Sequence, residues 1–315
     1  MEVKLSYRDL GHGITCIEAH FQRPNLACCY LLEGDGEAAL IDTGTHNTVP
    51  SVMELLEHKG LAPHQVKYVI PTHVHLDHAG GAGELMERLP EARLLIHPFG
   101  ARHMPDPAKL IAGATAVYGE AQFERDYGTL IPIDPARVTE AGDGLEVEIG
   151  GRTLVCLDTP GHARHHICLW DPRSRGMFTG DTFGIAYPEL TTERGPFMLL
   201  PTTPVQFDPE AWHQTIDRLM EPQPERMYLT HYCSVENPTP LAAWLHRQID
   251  DYVAMVARAD PTTPYAGIYS ALLDYHREAL RDHGCSLDRK GFDDLLAMDI
   301  GLCAQGLEVW LQRNG

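Results

Sequence analysis

The sequence lacks long hydrophobic runs, and no stretch reaches the roughly 18 to 20 apolar residues that a membrane-spanning helix requires. Residues 1–8 contain no apolar core, so we expect no secretory signal peptide. The eight cysteines are scattered, and no two of them form a Cys-x-x-Cys pair. A disulfide framework is not expected in a chain of this size. We therefore expect a cytoplasmic protein with reduced, buried thiols and no membrane partner.

The sequence is also short of positive charge. Lys and Arg number 25 against 44 Asp and Glu, which gives a formal net charge of −19. A surface this acidic repels the phosphates of nucleic acids and the anionic face of a membrane. We therefore expect no nucleic-acid partner. Histidine, by contrast, is abundant at 18 residues, and several histidines lie beside aspartates, which directs attention to metal chemistry.

Short apolar runs alternate with helical patterns through the first three quarters of the chain. This alternation predicts a layered α/β core. The predicted strands cover residues 26–32, 38–42, 66–70, 93–97, 145–149, 153–157, 167–170, 176–178 and 226–229. The predicted helices cover residues 49–59, 80–89 and 207–220.

The remaining segments have a different character. Residues 98–140 are rich in Pro, Gly and Tyr and predict a long loop with one or two short helices. Residues 184–206 show no clear period, and an insertion of this length in a compact domain is typical of a lid or a substrate loop. After residue 237 only helical patterns follow, at 241–259, 268–283 and 292–312. We therefore predict a metal-binding domain at 1–236 and a helical subdomain at 237–315.

The chemistry is concentrated in the motif His73-Val74-His75-Leu76-Asp77-His78, which follows a predicted strand directly. Neutral imidazoles and carboxylates are the natural ligands of a borderline divalent ion such as zinc. His73 and His75 alternate in an extended turn and are expected to face one ion. Asp77 and His78 are expected to face a neighbouring position, about 3.5 to 4 Å away in two-metal enzymes.

Further ligand types follow other predicted strands. His162 ends the sequence Thr159-Pro160-Gly161-His162, Asp181 follows Gly180, and His231 follows Thr230. One such position would mean little by itself. Several at successive strand ends predict a single site.

Taken together, H-x-H-x-D-H, T-P-G-H, G-D and the final His resemble the metallo-β-lactamase-fold hydrolase superfamily over about residues 10–235. The segment T-P-G-H-A-R-H-H-I-C-L-W further resembles the glyoxalase II-like thioesterase branch. The resemblance implies a four-layer αββα sandwich with the site at one edge, followed here by the C-terminal helical subdomain.

The resemblance also implies a set of residue roles. His73, His75 and His162 would hold one divalent ion, Asp77, His78 and His231 the other, and Asp181 would bridge the two. Asp77 and Asp181 would take the catalytic roles. Asp42, in Ile41-Asp42-Thr43-Gly44, would support the ligands from behind, and His166 is a candidate for a similar supporting role, with a structural His at a strand start as the alternative. Zinc is the favoured metal, with iron and manganese as alternatives.

These roles predict a dinuclear hydrolase that uses a bridging hydroxide on a small-molecule substrate. We favour an acyl thioester or ester, with lactone and then phosphodiester hydrolysis as alternatives, since the fold does not select the substrate. Iron-dependent relatives form a different class. Di-iron oxygen-binding members tend to have Glu where this chain has His75, whereas persulfide-dioxygenase-like members keep the motif and hold one iron.

Contacts to the substrate and to other chains are less specific in the sequence. The segment 102–107, Tyr118, Tyr127 and the region 187–200 are expected near the mouth of the site. A tyrosine there could donate a hydrogen bond to a developing oxyanion. The helical subdomain is a candidate surface for homodimerisation, which the sequence leaves open.

Overall fold

The computed structural model describes residues 5–202, 205–259 and 262–314. They form two compact units that interleave along the chain. The first comprises Met1–Asp158, His165–Gly180 and Glu225–Ser234, and the second comprises Thr159–Arg164, Asp181–Pro224 and Val235–Gly315. The expected division into domains at 1–236 and 237–315 stays a prediction. Among the described helices, none combines the length and the apolar run that a membrane crossing requires.

The first unit contains a sheet whose strands follow one another in chain order. The first four strands are antiparallel, and β4 to β7 are parallel. The strands are β1 (Tyr7–Asp9), β2 (Ile14–Glu18), β3 (Cys28–Glu33), β4 (Ala38–Ile41), β5 (Val66–Ile70), β6 (Arg93–Ile96) and β7 (Val138–Glu140).

A second sheet has the order β13-β12-β11-β10-β9-β8. Its strands are β8 (Glu146–Ile149), β9 (Arg152–Asp158), β10 (Ile167–Asp171), β11 (Gly176–Gly180), β12 (Arg226–Leu229) and β13 (Cys233–Glu236). β11 and β12 are parallel, whereas β8, β9, β10 and β11 pair antiparallel in succession. The carboxyl ends of β11 and β12 therefore lie side by side, and β12 ends two residues before His231.

The helices of the first unit are short, and those of the second are long. In the first unit they are α1 (Val49–His58), α2 (Leu76–Ala79), α3 (Ala82–Arg88), α4 (Pro98–Ala101), α5 (Ala108–Tyr118) and α6 (Glu120–Tyr127). In the second unit they are α7 (Pro209–Met220), α8 (Pro238–Val256), α9 (Pro264–Asp282) and α10 (Arg289–Asn314). α7, α8 and α9 each start with proline, which is well tolerated in the first turn because no helical hydrogen bond is lost there.

Alternation along the strands divides the core of the first unit into two layers. In β3, Cys29 and Leu31 pack with α1 and α3 in one cluster. Cys28, Tyr30 and Leu32 point the other way, into a cluster shared with the second sheet. This period of two is the consequence of strand geometry, and it gives the order helix, sheet, sheet within this unit.

The structure adds detail in two regions that the sequence left largely open. Residues 98–140, predicted as a long loop with one or two short helices, contain the single turn α4, two successive helices of 11 and 8 residues, α5 and α6, and the edge strand β7. Residues 203 and 204 of the insert 184–206 lie outside the described residues, and the role of the insert as a lid or a substrate loop stays a prediction. Within the insert, Ile185, Tyr187 and the run Phe197–Leu200 are all buried.

Candidate metal centre

The motif His73–His78 lies where β5 ends and the chain turns into α2. His73 and His78 are fully buried, whereas His75 and Asp77 are partly exposed. Asp77 and His78 belong to the single turn of α2, whose N-cap position is His75. A strand end followed at once by a helical turn holds the backbone firmly and leaves the side chains directed away from the sheet.

Three of the predicted ligands converge within the first unit. Nε2 of His231 lies 3.3 Å from Nε2 of His78, and 3.2 Å from Oδ2 of Asp77. Nε2 of His78 lies 3.6 Å from the same carboxylate oxygen. Ligands at about 2.0–2.1 Å from a tetrahedral zinc ion are separated by about 3.3 Å, so these spacings fit a shared divalent ion.

In both His78 and His231 the other ring nitrogen, Nδ1, forms a hydrogen bond to an oxygen acceptor. Nδ1 of His78 donates to Oδ2 of Asp42 over 2.9 Å. Nδ1 of His231 donates to the main-chain oxygen of Leu26 over 2.7 Å. A proton on Nδ1 leaves Nε2 with a free lone pair, which is the tautomer that binds a metal through Nε2. The donor set therefore fits a divalent metal in its chemistry as well as in its spacing.

Asp42 is the centre of a buried hydrogen-bond network. Its Oδ1 accepts from the backbone N–H of Thr72 over 2.7 Å, and its Oδ2 accepts from the hydroxyl of Thr230 over 2.5 Å. Asp42 itself has a φ of 54°, a left-handed backbone that Asp tolerates better than most residues. Thr72 and Thr230, each one residue before a predicted ligand, were not singled out from the sequence. Their position between a strand end and a histidine was the available signal.

The other two predicted ligands in the motif, His73 and His75, also lie close to each other. Nε2 of His73 lies 2.7 Å from Nδ1 of His75. The ring of His166, fully buried, stacks on that of His73 with 4.8 Å between centroids. His165, to which the sequence assigned no role, stacks farther out, at 6.1 Å. His166 thus contacts a predicted ligand, as a supporting residue would.

The other two predicted ligands meet within the second unit. Nε2 of His162 lies 3.5 Å from Oδ2 of Asp181, and both side chains are buried. Nδ1 of His162 donates to the main-chain oxygen of Pro201 over 2.8 Å, which again leaves Nε2 as the ligand atom. The preceding Gly161 has a φ of 134°, and a Cβ there would lie 2.5 Å from Cβ of Trp212. Only glycine allows α7 to approach this turn so closely.

The residues expected at the mouth of the site have varied environments. Tyr127 is buried, with its ring 5.5 Å from that of Phe21 and 5.8 Å from that of Tyr118. Burial raises the pKa of Tyr127 well above its ordinary value, and the charge of Asp77 contributes to this shift. Tyr127 therefore keeps its proton and lies near enough to Asp77 to sense its charge. Its role toward a substrate stays a prediction.

The comparison with known protein families decides the classification. The family model of the metallo-beta-lactamase superfamily matches residues 24–231. The chain belongs to this superfamily. The matched region begins before β3 and ends at His231, so it includes every residue of the candidate site.

Several known proteins are similar to this chain over part of its length. ST1585 of Sulfurisphaera tokodaii is 26% identical over 212 residues, which cover 66% of this chain and 73% of that protein. The acyl-coenzyme A thioesterase MBLAC2 of Gallus gallus is 27% identical, with 56% of this chain and 65% of that protein covered. A hydroxyacylglutathione hydrolase of Synechococcus is 32% identical, with 45% of each protein covered. The similarity to the glyoxalase II-like branch is thereby confirmed.

The crystal structure of ST1585 from Sulfolobus tokodaii has the same fold. It superposes with a TM-score of 0.67 at 22% identity, with 94% of this chain and 98% of that chain covered. The predicted fold class is confirmed: a mixed α/β protein of the metallo-beta-lactamase type, with two sheets and a C-terminal helical part. The fold and the His/Asp clusters together indicate a metal-dependent hydrolase family.

Proposed function

We propose that this protein is a dinuclear metal-dependent hydrolase of acyl thioesters. The observation that carries the proposal is the convergence of Asp77, His78 and His231 at spacings of 3.2–3.6 Å, with both imidazoles held in the metal-binding tautomer. The proposal extends to a cytoplasmic location, which agrees with eight free cysteines.

The proposed ligand sets are those expected from the sequence. Asp77, His78 and His231 hold one divalent ion, and His73, His75 and His162 hold the other, with Asp181 shared between them. Zinc is the proposed metal, because imidazole and carboxylate ligands suit it. Two divalent ions in such a site lower the pKa of a bound water toward 7 and polarise an acyl oxygen.

The residues of the chain have separate tasks in this proposal. Asp42 and the oxygen of Leu26 fix the rings of His78 and His231, so that neither ligand has to reorient during turnover. The carboxylate of Asp77 is the partly exposed member of its cluster, with 21% of the side chain accessible. It is therefore the group best placed to orient a nucleophilic water and to accept its proton.

We favour thioesters over other substrates because of the names of two similar proteins. The names of those relatives are acyl-coenzyme A thioesterase and hydroxyacylglutathione hydrolase, and both matches cover only part of the chain. The acyl group and its thiol carrier belong to the proposal and not to the comparison.

The proposal is tested with the purified protein loaded with Zn²⁺ and a substrate panel in which the two thioesters carry the same acyl group. The panel contains an acyl-coenzyme A, an S-acylglutathione, a lactone and a phosphodiester. We expect thioester hydrolysis to be the fastest reaction and to fall at least 100-fold in the Asp77→Asn variant. Hydrolysis of the lactone or the phosphodiester at the highest kcat/KM, with thioesters left intact, would reject the proposed substrate class.

A further inference from the structure

The segment Met198–Thr202 of the insert is anchored to the C-terminal helices within the second unit. The main-chain oxygen of Met198 accepts from Nε1 of Trp244 over 2.8 Å. On the far side of the segment, the hydroxyl of Thr202 donates to the oxygen of Cys303 over 3.2 Å. The thiol of Cys303 in turn donates to the oxygen of Leu200 over 3.4 Å. α8 and α10 thus hold the segment from both ends.

Gln248 of α8 makes the most extensive of these contacts. Its Oε1 accepts from the backbone N–H of Leu200 over 3.2 Å, and its Nε2 donates to the oxygen of Met198 over 3.0 Å. The side chain is completely buried. A buried amide is costly unless its polar atoms are paired, and here both ends of the amide are paired to the same stretch of main chain.

Gln248 is itself held in place by neighbours on the helices. The hydroxyl of Tyr252 lies 3.5 Å from Oε1 of Gln248 and 2.6 Å from Nε2 of His276 on α9. Tyr252 and His276 are also completely buried. Three buried polar side chains on two helices therefore form one connected arrangement that ends on the backbone of the insert.

The segment in turn contacts a predicted metal ligand. The oxygen of Pro201, between the anchored residues Leu200 and Thr202, accepts from Nδ1 of His162. This hydrogen bond selects the tautomer of His162 and orients its ring, as partners behind metal ligands generally do. A displacement of Pro201 would therefore change the direction of Nε2 of His162.

We propose that Gln248 is a positioning residue for His162, acting through the main chain at 198–201. The C-terminal helices and the insert then have a defined role, which is to hold one ligand of the metal centre from behind. The inference rests on the proposed function for the statement that His162 binds metal. The statement that Gln248 orients the ring of His162 does not depend on the proposed function.

The test compares Gln248→Met, which keeps the size of the side chain and removes both hydrogen bonds, with Tyr275→Phe as control. Tyr275 donates to Asp251 over 2.9 Å and so joins α9 to α8, and phenylalanine removes this hydrogen bond while keeping the ring that stacks on Trp244. The first readout is metal-free: the Nδ1–H proton of His162 observed by ¹⁵N-edited NMR. We expect a hydrogen-bonded, slowly exchanging signal in the wild type and in Tyr275→Phe, and its shift or loss in Gln248→Met.

The second readout is the affinity for Zn²⁺, measured by chelator competition. We expect one of two bound ions to be released at a 10- to 100-fold lower chelator concentration in Gln248→Met, with the other ion and the control variant unchanged. Thr202→Val, on the other side of Pro201, should give the same result and replaces Gln248→Met where that variant does not fold.

The two readouts separate the possible failures. An unchanged His162 signal in Gln248→Met would overturn the positioning role, whatever the metal content. A changed signal with a wild type that binds no Zn²⁺ would uphold the orientation of the ring and contradict the proposed function. An unchanged His162 signal, with two Zn²⁺ bound at equal affinity by the wild type and by Gln248→Met, would overturn the positioning role alone.

Discussion

Nδ1 of His78 and Oδ2 of Asp42 lie 2.9 Å apart, and both side chains are almost completely shielded from solvent. The two residues are 36 positions apart in the chain and meet because β4 and β5 are parallel neighbours whose carboxyl ends share one edge. Asp42 follows one strand directly, and the motif of His78 follows the other. The contact therefore links the sheet to the metal centre.

Removing the charge of Asp42 should weaken metal binding at the cluster of Asp77, His78 and His231. The carboxylate accepts from Thr72, His78 and Thr230, so an Asn at this position would direct its NH₂ group at a donor. We expect Asp42→Asn to reduce Zn²⁺ affinity by 10- to 100-fold, measured by chelator competition. The exposed Asp35→Asn serves as the control and should bind like the wild type.

The stability of the second unit should decrease in mild acid because of His276. Burial lowers the pKa of His276 from 6.5 to about 3. As the pH falls, His276 is therefore protonated at a higher pH in the unfolded chain than in the folded protein. Its contribution to the free energy of unfolding is complete above a pH of about 6.5 and is lost progressively toward pH 3. At pH 5 the loss is about 2 kcal/mol.

Urea unfolding at pH 7.5 and pH 5 measures this effect. His276→Gln should show a shallower decline in the free energy of unfolding than the wild type. The exposed His64→Gln should show the same decline as the wild type. Equal declines in the wild type and in His276→Gln would contradict the assignment to this residue.

A buried ion pair in the first unit should be sensitive to loss of one partner. Nε of Arg152 donates to Oδ1 of Asp171 over 3.0 Å, and both side chains are fully buried. Arg152→Met leaves the carboxylate without its cation and should cost about 3–5 kcal/mol in the free energy of unfolding. Arg175→Met breaks a half-exposed pair with Glu225 and should cost less than about 1 kcal/mol. Similar losses for the two variants would show that burial does not set the cost.

Gly180 should not tolerate a side chain. Its φ is +48°, and a Cβ would lie 2.5 Å from Nε2 of His166 and 2.6 Å from Oγ1 of Thr72. Both neighbours are buried and packed behind the metal ligands, so neither can move freely. We expect Gly180→Ala to lower the melting temperature and Zn²⁺ affinity together.

The matched control for Gly180→Ala is Gly113→Ala. Gly113 lies within α5, and a Cβ there meets nothing within 4 Å. This change should be neutral or stabilising by about 0.5–1 kcal/mol, since alanine favours helix. A Gly180→Ala variant as stable and as metal-competent as Gly113→Ala would mean that the backbone at β11 adapts without cost.

Local patterns predicted most of the strands that form the core, but not β2, whose residues are all buried. β5 and β12 begin and end at the predicted residues, because a short apolar run between turn signals is sufficient to define a buried strand. β1, by contrast, has three exposed residues and gives no such signal. The sequence predicted one or two short helices within residues 98–140 but did not place them, and α5 has no buried residue that would define an apolar stripe.

The sequence likewise revealed some of the site residues and did not reveal others. The ligand motif was visible because its residues are close in sequence. Gln248 was not, since its partner Leu200 is 48 residues away. One signal was available: Leu245, Ile249 and Tyr252 place Gln248 on the buried stripe of α8, where a polar side chain requires a partner. Which partner it contacts depends on tertiary packing.

The central claim is that the His/Asp clusters hold two divalent ions for hydrolysis. Elemental mass spectrometry of the protein, purified without added metal or chelator, tests it most directly. The account predicts two zinc ions per chain, and the loss of at least one ion in a His78→Ala variant, because that residue contributes Nε2 to the cluster with Asp77 and His231. A single iron per chain would contradict the dinuclear site and would favour oxygen chemistry in place of hydrolysis.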